Sequence, residues 1–241
     1  MRKRLLFVCP VLLFAASAWG STCSTSMLSS YIVSGFSCTE GDLMFSNFSY
    51  IPGGLPTAGN VEVTPVNDGT DFGFFFSGAF QSAAGMSSDA ILAYNIGTVD
   101  KAAAMTGNTV SLISYGATGG GNVQIVEGIC TAALSGAGAC PSGSSHSVSA
   151  SYNAGPPPSG TQSGSVTFAS PTNTEEVSKN IITNGANGSA AISEFENTVQ
   201  VSGGGGSTGG GPVPEPGSAF TIGSGLIATS QLLRKKLRRS A

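Results

Sequence analysis

The sequence predicts an all-β domain, a β-sandwich or jelly roll of about nine or ten antiparallel strands, set between two targeting segments. Three observations carry this reading. Short runs alternate apolar and polar residues, and turn residues separate the runs at close intervals. The 241-residue chain, with 35 glycines and only 10% charged residues, shows almost no helical periodicity.

At the N-terminus, Arg2-Lys3-Arg4 precede an apolar run from Leu5 to Ala16 and small residues through Gly20. This is the pattern of a signal peptide over residues 1–20, with cleavage after Ala18-Trp19-Gly20 preferred to cleavage after Ala16-Ser17-Ala18. Cys9 leaves with such a leader, so Cys23, Cys38, Cys130 and Cys140 remain, an even number suited to an oxidising compartment. Three pairings are possible. The expected ones are local, Cys23 with Cys38 and Cys130 with Cys140; zinc would call for tight Cys-x-x-Cys spacing and His partners, and the chain has one histidine, His146.

Residues 21–201 form the predicted extracytoplasmic domain, long enough to bury one core. Alternation is clearest in Asn60–Thr64, Phe72–Phe80, Ala90–Ile96, Val110–Tyr115 and Val123–Val126, and further strands are expected at Ser147–Tyr152, Gly164–Ser170, Glu176–Ile182 and Ala190–Val201. Asn67-Asp68-Gly69-Thr70 reads as a hairpin turn, since Asp-Gly supplies positive φ, and Asn184–Gly188 reads as another between the last two strands. Asp100–Thr106 competes as a short helix because Lys101-Ala102-Ala103-Ala104-Met105 has high helix propensity, and Thr174–Ile182 competes too. Acidic residues and Pro156-Pro157-Pro158 would blunt strand edges.

Phe72, Phe74, Phe76 and Phe80 share one face of their strand and read as core, with Phe75 opposed. Tyr31, Tyr50, Tyr94, Tyr115 and Tyr152 are candidates for exposed stacking on sugars. No catalytic residue is assigned, and the domain reads as non-enzymatic. Gly119-Gly120-Gly121 lies between strands rather than at a helix start, as a phosphate cradle would require. Glu175-Glu176 and Glu194 with Glu196 could be paired as in a glycosidase, but acids in strands read better as solvated faces. Asn67, Asp68, Thr70 and Asp71 concentrate oxygen atoms as a weak calcium candidate, yet their spacing does not match an EF-hand and the turn reading is preferred. Metal ligands are otherwise none, and calcium is the one cofactor considered.

Charge separates along the chain. Of ten basic residues, three lie in the leader and five in the tail, so the domain holds twelve acidic residues against Lys101 and Lys179. Trimmed at both ends it carries a formal charge of −10 instead of the precursor's −3, which argues against nucleic acid or anionic lipid as partners. Neutral glycans and divalent cations are compatible with it.

Residues 202–212 form a Gly/Ser-rich linker. After it come Val213-Pro214-Glu215-Pro216, an uncharged stretch from Gly217 to Leu233, and the basic cluster Arg234, Lys235, Lys236, Arg238 and Arg239. As a helix the uncharged stretch would reach about 25 Å, close to the thickness of a bilayer's hydrocarbon core. The basic cluster would stay on the cytoplasmic side and leave the domain outside. Proline before and after Glu215 keeps the motif extended and removes backbone donors, presenting it ahead of the helix.

Over residues 212–241 this order resembles the PEP-CTERM sorting signal of Gram-negative bacteria. The resemblance implies recognition of Pro214-Glu215-Pro216 by an exosortase, a membrane-embedded cysteine protease, and export into a polysaccharide-rich matrix. Residues 213–241 would then be the sorting signal, with motif, spanning helix and basic stop signal. Ser218, Thr221, Ser224, Thr229, Ser230 and Gln231 make this helix more polar than the family's usual one, which fits passage rather than permanent anchorage. The expectation is an exported surface or extracellular-matrix protein with a structural or adhesive role in an exopolysaccharide or biofilm setting. Its partners would be the exosortase and secretion machinery, the inner membrane before processing, and exopolysaccharide. The alternative is a carbohydrate-binding or carbohydrate-degrading module.

Overall fold

A computed structural model describes residues 21–99, 102–134 and 139–203. It is all-β, with two sheets that share one hydrophobic core. Sheet I has the order β1 (Ser21–Thr22), β3 (Ser37–Glu40), β4 (Leu43–Ile51), β7 (Ser87–Thr98), β12 (Thr174–Asn184), β9 (Asn122–Cys130), β10 (Ser145–Asn153). Sheet II has the order β11 (Ser163–Thr172), β8 (Ala104–Ala117), β13 (Ala190–Ser202), β6 (Asp71–Ser82), β5 (Val61–Asn67), β2 (Ser26–Met27). All neighbours are antiparallel except β1 and β3.

All nine sequence-predicted strands are present, and the described residues hold thirteen in total. The additional four lie between Ser21 and Ile51. Their longest member, β4, buries Leu43, Phe45 and Phe48, and the three-residue step from Phe45 to Phe48 breaks strict alternation. The break comes from Asn47, whose φ of 55° shifts the register against β7 between Ser46 and Ser49. A period of two therefore fails across a strand that contains an irregularity.

Neither helix candidate survives. Ala102 lies in a turn and Ala104 already begins β8. Ala103 and Met105 are fully buried, and Met105 pairs with both Thr172 and Val201, so pairing on two sides overrides local helix propensity. Thr174–Ile182 is strand β12, held between β7 and β9.

Of the two turns, Asn67–Thr70 does join the antiparallel pair β5 and β6. Asn184–Gly188 does not make a hairpin. It carries the chain from β12 in sheet I to β13 in sheet II. It packs against the β8–β9 connection, where a side chain on Gly119 (φ +59°) or Gly188 would collide with the other arch's backbone. Turn chemistry is the same for a chain that folds back beside itself and one that folds back onto the facing sheet. From β6 onward nearly every connection is of the second kind.

Aromatic rings fill the space between the sheets. Phe45 of sheet I meets Phe74 of sheet II at 4.6 Å between centroids, and Phe48 stacks on Tyr94 at 4.9 Å. Phe76 stacks on Phe195 at 5.0 Å. The expected face is observed: Phe72, Phe74, Phe76 and Phe80 are buried, while Phe75 is on the outer side and only partly covered. A short helix, Leu28–Tyr31, places Tyr31 against Phe48 and Phe74, with its hydroxyl donating to Ser24 O at 2.6 Å.

Candidate functional site

The distinctive chemistry lies inside. Within the inter-sheet layer, Glu127, Glu175, Lys179, Asn108 and Asn197 are no more than 2% exposed, and Tyr94 is 1% exposed. Strand alternation puts them there. On β12, Glu175, Val177, Lys179 and Ile181 share the inner face, and on β9, Glu127 follows Val123 and Ile125. Lys179 and Glu127 are cross-strand partners in sheet I, and Asn108 on β8 and Asn197 on β13 approach from sheet II.

Lys179 Nζ lies 3.1 Å from Glu127 Oε2, an ion pair by distance that lacks hydrogen-bond alignment. It donates to the Tyr94 hydroxyl at 3.0 Å and sits 4.4 Å from that ring's centroid. The Tyr94 hydroxyl in turn donates to Asn197 Oδ1. Asn197 Nδ2 donates to Asn108 Oδ1 at 2.6 Å, to Thr109 O at 2.8 Å and to Glu127 Oε1 at 3.2 Å. Asn108 Nδ2 donates to Glu175 Oε1 at 2.5 Å, and Glu175 Oε2 has no hydrogen-bond partner.

Burial governs protonation here. It pushes the Glu175 carboxyl up to about 8, against the lowering effect of the Asn108 hydrogen bond. It raises Glu127 even though Lys179 pulls the other way, and it lowers Lys179 despite the nearby carboxyls. Tyr94 is pushed well above its ordinary value by burial, with Glu127 and Glu175 adding to the effect. Burial thus acts against the charged forms of Glu127, Glu175 and Lys179 alike.

The sequence placed Glu175 on a solvated face, and the structure corrects this: Glu175 points into the core while its neighbour Glu176 faces outward, so the two do not form a pair. Glu194 and Glu196 do share the outer face of sheet II. Burial, then Asp68, Asp71 and Glu194, raises the Glu196 carboxyl. Tyr31 and Tyr94 are buried and leave the set of stacking candidates, whereas Tyr50, Tyr115 and Tyr152 are partly exposed.

Among the calcium candidates, Asn67 and Asp68 each use one oxygen locally, whereas Asp71 Oδ1 is buried without a hydrogen-bond partner. Asn67 Oδ1 accepts from Gly69 N at 3.1 Å, and Asp68 Oδ1 accepts from Thr70 N at 3.3 Å and Asp71 N at 2.8 Å. Asn67 Nδ2 also donates to Glu40 Oε1 at 2.9 Å. Asp71 is raised by burial and by Asp68. Among the described residues no group of three or more His, Cys, Asp or Glu side chains is arranged to hold a metal ion.

Both cysteine pairs are bonded as expected, Cys23 with Cys38 and Cys130 with Cys140. They tie the residue that follows β1 to β3, and the end of β9 to the segment before β10. The expected leader over residues 1–20, the tail motif Val213–Pro216 and the basic residues Arg234, Lys235, Lys236, Arg238 and Arg239 lie outside the described residues. Among the described residues no helix is long and apolar enough to cross a membrane.

A shallow depression of about 310 Å³ opens on the β9–β10 edge, lined by Asn122, Val123, Gln124, Ser151, Tyr152, Asn153, Ser159 and Gly160. Its lining is polar and uncharged apart from Val123 and the Tyr152 ring, which lies 5.2 Å from that of Tyr115. No protein-family model matches the chain, and no curated protein matches its sequence.

Proposed function

We propose that this chain is a non-enzymatic exported surface or matrix protein whose two-sheet domain serves as a structural or adhesive unit in a polysaccharide-rich setting. The observation that carries the reading is the pairing of a leader at one end with Pro214-Glu215-Pro216, an uncharged stretch and a basic cluster at the other. The two disulfides fit an oxidising destination. The sealed position of Glu127, Glu175 and Lys179 fits a structural use of the domain's inner charges. Sorting by an exosortase, transient membrane attachment through residues 217–233 and release after processing complete the proposal.

Expression of the full chain in a Gram-negative host with and without its exosortase tests it. The expected product in the first host is extracellular and has lost residues C-terminal to the motif, by mass. In the second host, and for P214A/E215A/P216A in the first, the chain stays with the membrane. An identical product in all three cases would overturn the proposal.

A second reading is favoured by the depression beside Tyr152. Uncharged amides from Asn122, Gln124 and Asn153 around an aromatic ring suit a neutral sugar. Glycan-array binding lost on Tyr152→Ala would support a carbohydrate-binding module, and an array without specific hits would remove that reading.

A further inference from the structure

The domain buries an amine, an amide, a carboxyl group and a phenol in mutual contact between its two sheets. Lys179 Nζ and the Asn197 side-chain amide share two neighbours. Tyr94 OH touches both the amine and Asn197 Oδ1, and the Glu127 carboxyl group touches both the amine, through Oε2, and Asn197 Nδ2, through Oε1. We propose that the mature domain carries an intramolecular amide bond between Lys179 Nζ and Asn197 Cγ, formed by the protein itself with release of ammonia.

The roles follow from position. A lysine becomes a nucleophile when its amine is neutral, and exclusion from water favours that form. Proton transfer from Lys179 Nζ to Glu127 Oε2 converts a costly buried ion pair into a neutral amine and a neutral acid. Nζ then attacks Asn197 Cγ. Charge that develops on Oδ1 meets the hydroxyl hydrogen of Tyr94, which already points at that oxygen. Glu127 delivers the proton it now holds to Nδ2, its own hydrogen-bond partner, and takes one of the two protons left on Nζ, the other staying on the amide nitrogen.

The Nζ–Cγ bond forms, the Cγ–Nδ2 bond breaks, and one ammonia leaves. The departing ammonia takes the proton that Glu127 received from Lys179 and leaves as ammonium, so Glu127 ends as the carboxylate it began as, and no oxidant or external reagent is involved. Enclosure between the sheets excludes water as a competing nucleophile and holds the reacting groups together, which replaces the encounter step of an ordinary bimolecular reaction.

The product also explains why these groups are buried. A free lysine in a core destabilises it, whereas an amide is neutral and keeps one N–H for hydrogen bonding to Glu127. The bond would join β12 of sheet I to β13 of sheet II, covalently fastening the two sheets through their centre. Asn108 holds Asn197 Nδ2 from the far side and so acts as a positioning residue.

The test is the intact mass of the purified mature protein after denaturation and full reduction of its disulfides. The expected wild-type mass is lower than the sequence mass by one ammonia, and a proteolytic digest contains a branched peptide joining Lys179 to Asn197. Glu127→Gln is expected to carry the full sequence mass. A wild-type chain at full sequence mass overturns the proposal, as does loss of one water with Lys179 joined to Glu127. Loss of ammonia by Glu127→Gln at the wild-type rate overturns the role given to Glu127. Should that variant fail to fold, the wild-type mass and the branched peptide still decide, because neither measurement depends on a substitution.

Discussion

Lys179 and Glu127 face each other at 3.1 Å across adjacent strands, with both side chains wholly excluded from water. Such a pair has little net worth against an apolar pair of equal volume, but breaking it strands a charge. Glu127→Ala or Lys179→Ala is expected to cost about 3–5 kcal/mol. The double variant Glu127→Leu/Lys179→Met should recover the part of that loss that comes from the stranded charge, though not the part that comes from the missing Lys179–Asn197 bond, in urea unfolding curves of wild type and the three variants. Equal loss in singles and double would mean the pair is not coupled.

Glu175 gives the domain a pH dependence of definite sign. Its carboxyl is raised from 4.5 to about 8, so the folded state binds a proton that the unfolded state releases. The contribution is complete below about pH 4.5 and declines as pH rises through about 8. Glu175→Gln copies the protonated form and should remove this decline. Above pH 8 the variant is expected to be more stable than wild type, read from Tm against pH, with the two curves converging in acid.

Phe74 stands at the centre of the aromatic layer, with ring contacts to Tyr31, Phe45, Phe48, Phe76 and Tyr94. Phe74→Ala should cost about 3–5 kcal/mol through lost burial and a residual cavity. Phe75→Ala, one residue away on the outer face, should cost about 1 kcal/mol or less. Denaturant midpoints for the two variants check the contrast.

The 15-residue separation of Cys23 and Cys38 predicts a loss of about 3 kcal/mol for Cys23→Ala/Cys38→Ala. Wild type treated with reductant should show a lower Tm, measured by calorimetry. A Tm unchanged by reduction would show that the first strand is held by packing alone.

At the β5–β6 turn, Asp68 Oδ1 serves two backbone N–H groups, so Asp68→Ala should cost about 1–2 kcal/mol. Because Asp68 Oδ1 is already engaged and no group of three or more His, Cys, Asp or Glu side chains among the described residues is arranged to hold a metal ion, millimolar calcium is expected to leave the wild-type Tm unchanged. A calcium-dependent rise that disappears in Asp68→Ala would restore the metal reading.

Much of the sheet content was legible because nine strands alternate over enough of their length to be read, even where β8, β11 and β13 contain register shifts. The Phe72–Phe80 face could be read from spacing alone. β4 was hidden by Asn47, whose left-handed backbone breaks the period. The order of strands was not legible, since the glycines of Asn184–Gly188 permit reversal without saying which sheet receives the chain. The inner polar chamber had a readable signal: the parity that buries Val177 and Ile181 also buries Glu175 and Lys179. Residue-type expectation, that acids and lysines stay in water, masked it. Nothing in the sequence shows that Asn108, Glu127 and Asn197 converge with them, because that depends on which strands lie opposite across the core.

The last strand of the domain, β13, occupies an interior place in sheet II, between β8 and β6. A chain delivered N-terminus first therefore cannot finish that sheet until its final segment arrives. Everything before Ala190 must wait with two unsatisfied strand edges, exposed to wrong partners and to proteases. Completion of the fold thus coincides with emergence of the residues directly ahead of the glycine linker, and the domain becomes protease-resistant in a single late step.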